Sequence, residues 1–257
     1  MKNNSVFDQS PYTCRMDWGI HGAISAADRG DIIIIVDVLS FSSAVAAAVH
    51  HGAVIYPFPM SGKIADFGRA TGAKVLKGKR EAKLSGEPSL SPVSFNRACK
   101  GKKYVMSSLN GAACAKASAK VPALFAGSLL NARKTAKAAE SVREKTKSSI
   151  TVIACGERIN GSPELRPCIE DYLGAGAILN ELSGSKSPEA GVCSGAFENA
   201  SSKLEQLVGD CASGRELKAA GFGKDVLFAA RLNVIREVPV LIQDDLHKPY
   251  FKAYSSE

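Results

Sequence analysis

Polar side chains able to act as acids, bases or anion ligands recur where apolar runs of this sequence end. They are Asp37 with Ser40, Lys79 with Arg80, residues 107–110, residues 128–131 and residues 155–158. In a parallel sheet the carboxyl ends of the strands share one edge, so we expect these side chains to converge there. Together they offer a carboxylate for a metal ion, amide and hydroxyl donors, and cations for an anion. Phosphoryl transfer needs this mixture, because its catalysis is mainly positioning and charge stabilisation around a metal.

Asp37 ends the most apolar run of the chain, within DIIIIVDVLSFSSAVAAAVHHGA (residues 31–53). Four consecutive isoleucines and a valine are too few for a membrane span and too continuous for a half-exposed strand, so they predict a strand buried on both faces. Ser42 and Ser43 then begin an alanine-rich helix that ends at Gly52. A carboxylate just before a helix N-terminus, which attracts anions, is typical of a ligand site. The alternative is that Asp37 only orders the turn.

Glu170 and Asp171 form an acidic pair near Glu157 and Arg166 in the sequence. Neighbouring carboxylates can hold Mg²⁺ through oxygen ligands and waters. The pair also begins a predicted helix, where negative charge complements the helix dipole. Without further evidence, the sequence favours this structural interpretation of the pair.

Cysteine and histidine residues also have a structural and a functional interpretation. Cys155 ends a predicted buried strand, so a core residue is favoured over a nucleophile, which would need a cation such as Arg158. His50 and His51 lie at a helix end, where the dipole favours them. Only four histidines occur, without an H-x-x-x-H pair, which argues against a zinc site. Walker, dinucleotide-binding and G-x-S-x-G motifs are missing, which argues against nucleotide hydrolases, Rossmann dehydrogenases and α/β-hydrolases.

Strand-like and helix-like segments alternate along nearly the whole chain. This alternation predicts a three-layer α/β/α fold with a largely parallel (mixed) central sheet, in one domain of residues 1–257 with an ordered core of about residues 12–242. Further strands are predicted at residues 12–22 (a short edge strand and a turn), 53–58, 73–78, 102–108, 123–128, 149–158 and 238–242. The last of these is expected to close the sheet. Further helices are predicted at residues 61–71, 131–147, 169–182, 187–211 (with a break at Gly195), 213–221 and 224–231.

Proline, serine and glycine residues predict where two of these elements begin or end. Pro57 and Pro59 are expected to end the strand at residues 53–58, and Ser61 and Gly72 to bound the helix at residues 61–71. Residues 79–94, rich in Ser, Pro and charge, are predicted to be irregular. The tail after residue 242 has no assignment.

The composition of the chain limits the classes of molecule that we expect it to bind. Lys and Arg number 33 against 25 Asp and Glu, but the charge excess of +8 is spread out and aromatic residues are few, so we do not expect nucleic-acid binding. The excess is consistent with attracting a small polyanionic substrate.

Seven widely spaced cysteines without a C-x-x-C pair indicate reduced thiols. Without a signal-peptide core or a run of 18 apolar residues, we expect a soluble cytoplasmic protein with no membrane contact. A homodimer is left open.

Six segments in a fixed order carry a family resemblance. They are VDVLSFSSAVAAAVHHGA (36–53), SSLNGAACA (107–115), GSLLNARKTA (127–136), ACGERI (154–159), LRPCIEDYLGAGAI (165–178) and GKDVLFAA (223–230). Together they resemble the 2-phosphosulfolactate phosphatase family, and the likeness extends from about residue 12 to residue 241. Members of that family are Mg²⁺-dependent phosphatases that convert 2-phosphosulfolactate into sulfolactate and phosphate, a step toward coenzyme M. The resemblance implies an α/β fold with a mixed sheet.

The resemblance also implies a site around Asp37, around Asn110 with Gly111, and around the acidic pair. The chain departs from the family pattern at three places. Founding members have arginine after V-D-V-L, where this chain has Ser40. They have T-T-N-G-T where this chain has SLNGA (108–112), and their G-N-S-P is reduced to LSP (90–92). Because these groups would contact the anionic substrate, the departures bear on substrate identity more than on fold or metal use.

The sequence therefore predicts a cytoplasmic Mg²⁺-dependent phosphomonoesterase that acts on a small phosphorylated hydroxy acid, foremost 2-phosphosulfolactate. The predicted catalytic residues are Asp37, Asn110, Cys155 and Glu157; the predicted substrate-binding residues are Ser40, Lys79, Arg80, Ser108, Gly111, Arg158 and Arg166; the predicted metal ligands are Asp37, Glu170 and Asp171. Two alternatives stay open. One is an anion-binding protein that has lost turnover, and the other is a hydrolase of another anionic phosphate ester.

Overall fold

The computed structural model describes residues 6–60, 63–158 and 164–255, in which strands and helices alternate. The strands are β1 (Cys14–Trp18), β2 (Ile32–Val36), β3 (Val54–Pro59), β4 (Lys74–Val75), β5 (Lys103–Ser108), β6 (Leu124–Gly127), β7 (Ile150–Ala154), β8 (Glu157–Arg158), β9 (Leu165–Arg166), β10 (Pro239–Gln243) and β11 (Pro249–Ala253). The helices are α1 (Gly19–Arg29), α2 (Phe41–His50), α3 (Ile64–Thr71), α4 (Lys79–Ser85), α5 (Gly111–Ala117), α6 (Ala132–Thr146), α7 (Ile169–Glu181), α8 (Pro188–Ala200), α9 (Leu204–Asp210), α10 (Ala212–Ala219) and α11 (Gly223–Ala229).

The isoleucine-rich strand β2 is covered on both faces, as predicted. All five of its side chains are fully buried. Alternate residues of a strand point to opposite faces, and Ile32, Ile34 and Val36 accordingly join a core cluster with α6, α7 and α8. Ile33 and Ile35 join a second cluster with α1, α2 and α5. These two helical layers with the sheet between them are the predicted three-layer α/β/α fold.

The nine-stranded sheet has the order β1-β7-β2-β6-β10-β11-β3-β5-β4. Pairing is parallel within β1-β7-β2-β6 and within β3-β5-β4. The antiparallel hairpin β10–β11 joins these two blocks. The sheet is therefore mixed and largely parallel, as predicted, and β1 is an edge strand.

The two parallel blocks run in opposite senses along the sheet. Each is joined to the hairpin by one residue pair, Val240 with Phe125 and Phe251 with Ile55. The loops after β2 and β5 are nevertheless in contact, because the Gly111 N–H reaches Asp37. The sheet must therefore coil strongly between the blocks, in line with the twist that accumulates across neighbouring strands.

The C-terminal region corrects the predicted edge of the sheet. Strand β10 does not close the sheet but lies in its interior, between β6 and β11. Strand β11, in the unassigned tail, lies beside it and buries Phe251 completely. The ordered core thus extends past residue 242, because the tail folds back as the second strand of a hairpin.

Residues 79–94 are irregular only in part. Helix α4 occupies Lys79–Ser85, and a 3₁₀ turn occupies Pro92–Ser94, whereas residues 86–91 form no helix or strand. Residues 79–85 are mostly good helix formers, and Gly86 ends the helix in the left-handed conformation with φ 67°. The prediction was wrong for residues 79–85, because it was based on the Ser and Pro residues of the second half.

Two predicted strand ends were also wrong. Strand β3 includes Pro57 and Pro59 instead of ending before them. It pairs with β5 along its whole length but with β11 only at Ile55. Because one side of β3 is unpaired near the prolines, their missing N–H groups cost no hydrogen bond there. The strand predicted at residues 149–158 ends at Ala154, because Gly156 turns the chain with φ 61°. Strands β8 and β9 form a separate two-stranded ribbon.

The predicted helix break at Gly195 lies instead at Ser201–Lys203, since α8 continues through that glycine. Gly72 ends α3 in the left-handed conformation, as predicted, whereas the predicted N-cap Ser61 lies outside the described residues. Within the described ranges, no helix combines the length and the apolarity that crossing a bilayer would require.

Candidate active site

A cavity of about 200 Å³ lies where the loops after β2, β5 and β7 meet the start of α7. We call it the acidic cavity. Its lining is formed by Asp37, Leu39, Ser40, Met60, Leu90, Ser107, Ser108, Leu109, Asn110, Gly156, Glu157, Cys168, Glu170 and Asp171. Four of these described lining residues are carboxylates, and no Lys, Arg or His is among them. The predicted convergence of strand ends has therefore produced a concentration of negative charge.

Asp37 is held by backbone donors on both oxygens. Oδ1 accepts the N–H of Phe41, at the start of α2, over 3.0 Å, and Oδ2 accepts the N–H of Gly111, at the start of α5, over 3.1 Å. The Ser42 hydroxyl lies 2.9 Å from both the backbone nitrogen and the carbonyl oxygen of Asp37, bracing the turn. Asp37 thus orders its turn and also faces the cavity. The Gly111 N–H, predicted to bind substrate, is used by Asp37 instead.

Asp171 joins two other loops in the same way. Its Oδ1 accepts the Val38 N–H over 2.7 Å and its Oδ2 accepts the Gly156 N–H over 2.9 Å. Helix α7 therefore carries a carboxylate that fixes the chain after β2 against the chain after β7. Glu170, its buried neighbour, completes the acidic wall of the cavity.

Asn110 and Glu157 form a second polar contact at the cavity. Asn110 donates from Nδ2 to Oε1 of Glu157 over 2.7 Å, and the same Oε1 accepts the Arg158 N–H over 2.9 Å. Oδ1 of Asn110 is buried and lacks a hydrogen-bond partner among the described atoms. Buried polar atoms are rarely left unpaired, so this oxygen is available to a ligand.

The electrostatics of the cavity disfavour ionised carboxylates. Burial raises the pKa of Asp37 to about 6, and the charges of Glu157 and Glu170 act in the same direction. Burial also raises the pKa of Asp171 well above its ordinary value, and Asp37 and Glu170 contribute further. A cation among these groups would relieve the repulsion and return both carboxyl groups to their charged form.

Lys79 brings positive charge to the rim of the cavity. Its Nζ donates to Oγ of Ser40 over 2.6 Å and lies 3.3 Å from Oδ2 of Asp225, a buried carboxylate on α11. Oδ1 of Asp225 accepts the Ser91 hydroxyl over 2.6 Å. The ammonium is therefore fixed between a serine of the acidic cavity and a carboxylate outside it.

The structure brings most of the predicted site residues together. Asp37, Asn110, Glu157, Ser40, Ser108, Glu170 and Asp171 line the acidic cavity, and Lys79 reaches its rim.

Apart from Lys79 at the rim, five predicted site residues are not in the lining of the acidic cavity; one of them is Gly111, whose N–H donates to Asp37. Cys155 belongs to the core, where its sulfur contacts Cys114 and this contact and burial raise the thiol pKa, so it is not an activated nucleophile. Arg80 is exposed on α4. Arg158 lines a small neighbouring cavity, and Arg166 is exposed on the ribbon. Strand ends predict which loops meet but not where long side chains point, so the assignment of these three arginines as anion ligands stays a prediction.

Sequence reasoning missed Asp225 and Ser91. Asp225 lies in GKDVLFAA, one of the segments that carried the family resemblance, but no spacing linked it to Lys79. A buried aspartate within an apolar helix was the available signal, because such a charge is nearly always paired.

The donor set suits a hard divalent cation. Carboxylates and an unpaired amide oxygen are the ligands that Mg²⁺ prefers, and Mg²⁺ usually takes one or two protein carboxylates together with waters and substrate phosphate. Among the described residues, no group of three His, Cys, Asp or Glu side chains is already arranged around a common point. A metal in this cavity would therefore need ligands from waters or substrate, because the described side chains do not form a closed cage.

Comparisons with known proteins identify the family of this chain. A model of the family described as 2-phosphosulpholactate phosphatase matches residues 20–244. A probable 2-phosphosulfolactate phosphatase of Carboxydothermus hydrogenoformans is 29% identical over 215 residues, covering 80% of this chain and 84% of the relative. Relatives with the same description from Clostridium perfringens and Gloeobacter violaceus are each 25% identical, over 82% and 81% of this chain and 86% and 87% of their own lengths. The chain therefore belongs to the 2-phosphosulfolactate phosphatase family, a family of phosphoric monoester hydrolases.

Proposed function

We propose that this protein hydrolyses 2-phosphosulfolactate to sulfolactate and phosphate in a reaction that depends on Mg²⁺. Membership of the family supports the substrate. The observation that carries the proposal is the acidic cavity, with four carboxylates and no cationic side chain in its described lining. A phosphate ester is an anion, so it can enter such a cavity only with a cation that neutralises the carboxylates.

The proposed metal ligands are Asp37, Glu170 and Asp171, with the unpaired Oδ1 of Asn110 beside them. Asp171, like Asp37, accepts one backbone N–H on each oxygen, which leaves each oxygen a further lone pair for a metal. We also assign it the role of positioning the loops after β2 and β7 and, through Val38, the turn that presents Asp37. The metal would supply charge stabilisation for the phosphoryl group and orient it.

Lys79 is the proposed cation for the substrate. Its ammonium lies at Ser40, the position where founding members of the family carry arginine, so it can meet the sulfonate or carboxylate of the substrate. The Ser108 hydroxyl, also in the lining, offers a neutral donor to a phosphoryl oxygen.

The reaction breaks the bond between phosphorus and the ester oxygen at C2 of the substrate, and a water oxygen ends on phosphorus. Either water attacks directly, with Asp37 or Glu157 accepting its proton, or Asp37 attacks first and water hydrolyses the resulting aspartyl phosphate. Borohydride trapping during turnover distinguishes the routes, because only the second forms an acyl phosphate at Asp37, which borohydride reduces to homoserine.

The experiment that tests the proposal is phosphate release from racemic 2-phosphosulfolactate with Mg²⁺ and with EDTA. We expect turnover that EDTA abolishes and added Mg²⁺ restores. Absence of turnover of this ester and of a panel of phosphomonoesters would remove the phosphatase proposal. If sulfolactate and phosphate still raised the melting temperature, a binding protein without turnover would replace it.

A second candidate function is hydrolysis of another anionic phosphate ester. It is favoured by Met60, Leu90 and Leu109, whose apolar side chains lie in the cavity lining, where a less polar acid would pack. A higher kcat/KM on a phosphorylated hydroxy acid without a sulfonate would establish it.

We also propose a cytoplasmic location. All seven cysteines lie in the described residues and are unpaired, and six of them are buried. Such thiols persist in a reducing compartment.

A further inference from the structure

A second cavity, of about 670 Å³, lies on the far side of Lys79 from the acidic cavity. We call it the basic cavity. Helix α4, the segment 89–94 and the start of α11 enclose it. Its lining includes Lys79, Lys83, Lys224, Phe222, Ser91 and Val93. Apart from Lys79, none of these residues has a role in the proposed reaction.

The basic cavity carries positive charge, because its carboxylates are already paired with lysines and two of its lysines are not paired with a carboxylate. Of its two carboxylates, Glu87 is paired with Lys74 and Lys77, and Asp225 is paired with Lys79. Lys83 and Lys224 have no carboxylate partner among the described residues. Lys83 donates to the Gly221 carbonyl over 3.2 Å, which fixes its ammonium at the cavity wall. Two exposed lysines without a carboxylate partner among the described residues therefore line this space.

The cavity also has an apolar surface. Phe222 is buried at the start of α11, and the ammonium groups of Lys79 and Lys83 each lie 5.5 Å from the centroid of its ring. Val93 contributes an exposed side chain on the opposite segment. A ligand with an anionic end and a flat or apolar body would match both features.

The basic and acidic cavities share a wall. Leu90 lines the acidic cavity, whereas its neighbours Ser89 and Ser91 line the basic cavity. Lys79 crosses this wall, since its side chain lines the basic cavity and its Nζ reaches Ser40 in the acidic one. An anion in the basic cavity would therefore compete with Ser40 for the Lys79 ammonium.

We propose that the basic cavity is a second binding site, which takes a small organic anion with an apolar or aromatic body. The anionic group meets Lys83 and Lys224, and the body packs against Phe222. Occupation draws Lys79 away from Ser40 and so weakens substrate binding in the acidic cavity. This site goes beyond the proposed function, and its occupation can be measured without turnover.

Isothermal titration with phenylphosphonate tests the site directly. We expect saturable binding with a Kd of about 1 mM or tighter, which is ordinary for a ligand of this size. The double variant Lys83→Gln with Lys224→Gln should weaken it at least about tenfold, the equivalent of one charged contact. Phe222→Leu, which keeps an apolar side chain, should weaken it less.

The matched control is Lys134→Gln with Lys137→Gln, which removes the same charge from the exposed face of α6. This variant should bind phenylphosphonate like the wild type, and circular dichroism checks that both double variants are folded. Absence of saturable binding, or binding that the Lys83 and Lys224 substitutions leave unchanged, would overturn the proposal. In the latter case the anion occupies another site, such as the acidic cavity.

A kinetic measurement tests the coupling and rests on the proposed function. Phenylphosphonate should raise the KM for 2-phosphosulfolactate and leave kcat unchanged, and the Lys83, Lys224 double variant should lose this effect. A rise in KM that persists in the double variant would contradict the coupling. Absence of turnover would contradict the proposed function, but the titration would still show whether the basic cavity binds phenylphosphonate.

Discussion

The backbone N–H of Gly111 donates to Oδ2 of Asp37 over 3.1 Å, and so connects the ends of β5 and β2. These strands belong to the two blocks of the sheet that pairing places in opposite senses. The contact therefore depends on the coiling of the sheet as well as on local sequence. It also fixes the orientation of the carboxylate on which the proposed chemistry depends.

Gly111 can be tested by adding one methyl group. A Cβ at this position would overlap the ring of Phe41 and Oδ2 of Asp37. We expect Gly111→Ala to lower the free energy of unfolding by about 1–3 kcal/mol, as overpacking does, and to abolish most phosphatase activity. Gly191→Ala in α8 is the matched control, because its Cβ meets no described atom within 4 Å. Equal melting temperatures and activities for the two variants would contradict this role of Gly111.

The opposite end of β2 should affect stability without affecting chemistry. Asp31 accepts two bonds from Nη1 of Arg15, each 3.1 Å, one from Arg29 of 3.0 Å and one from Thr151 of 2.7 Å. Asp31→Asn leaves the buried Arg15 without its charge partner, which should cost about 3 kcal/mol or more in urea denaturation.

The kcat of the folded fraction of Asp31→Asn should stay at the wild-type value. Asp66→Asn, which breaks an exposed pair with Arg69, should change stability by about 0.5 kcal/mol or less. A stable Asp31→Asn protein, or one that is folded but inactive, would show that the two ends of β2 do not have these separate roles.

The pH dependence of KM should report on Lys79. Burial lowers the pKa of Lys79, while Asp225 and Asp37 act in the opposite direction. Because the amine binds an anion only when protonated, KM should rise with pH at a value below the usual lysine pKa. Asp225→Asn removes a charge that favours the protonated form, so it should move this rise to lower pH.

Lys79→Arg is the decisive variant for this pH effect, because arginine stays protonated and should remove the alkaline rise in KM. Lys137→Arg on the exposed face of α6 is the control and should keep the wild-type profile. An alkaline rise that survives in Lys79→Arg would assign the effect to another group.

Metal removal should be visible in stability as well as in activity. Since the acidic cavity gathers four carboxylates, Mg²⁺ should raise the melting temperature at neutral pH, by an amount that grows with its concentration. Glu170→Gln and Asp37→Asn should each reduce this rise, whereas Asp66→Asn should retain it. An identical melting temperature of the wild type in EDTA and in excess Mg²⁺ would contradict a metal in this cavity.

Much of the site could be predicted from sequence because strand ends are local signals. The apolar run of β2 located Asp37, and the family resemblance singled out Asn110 and the acidic pair. The sequence could not reveal that the hairpin β10–β11 separates the two parallel blocks, because strand order is decided by long-range pairing. The tail strand has mixed polarity, and Phe251 alone is its fully buried anchor.

The sequence also could not predict the direction in which long side chains point. Arg80 follows Lys79 directly, yet one side chain is exposed and the other reaches Ser40, because neighbouring residues of a helix point in different directions. The pairing of Lys79 with Asp225 joins residues far apart in the chain, and no spacing rule connects them. Cys155 follows the buried strand β7, so its side chain belongs to the core although its neighbours line cavities.

The most direct test of the account is kcat/KM for 2-phosphosulfolactate in the wild type and in Asp37→Asn, both with saturating Mg²⁺. We expect the substitution to keep the fold, as circular dichroism would show, and to lower kcat/KM by about a thousandfold or more, the loss expected when a central charged group of an active site is removed. A folded Asp37→Asn protein that hydrolyses the ester at the wild-type rate would show that the chemistry takes place elsewhere.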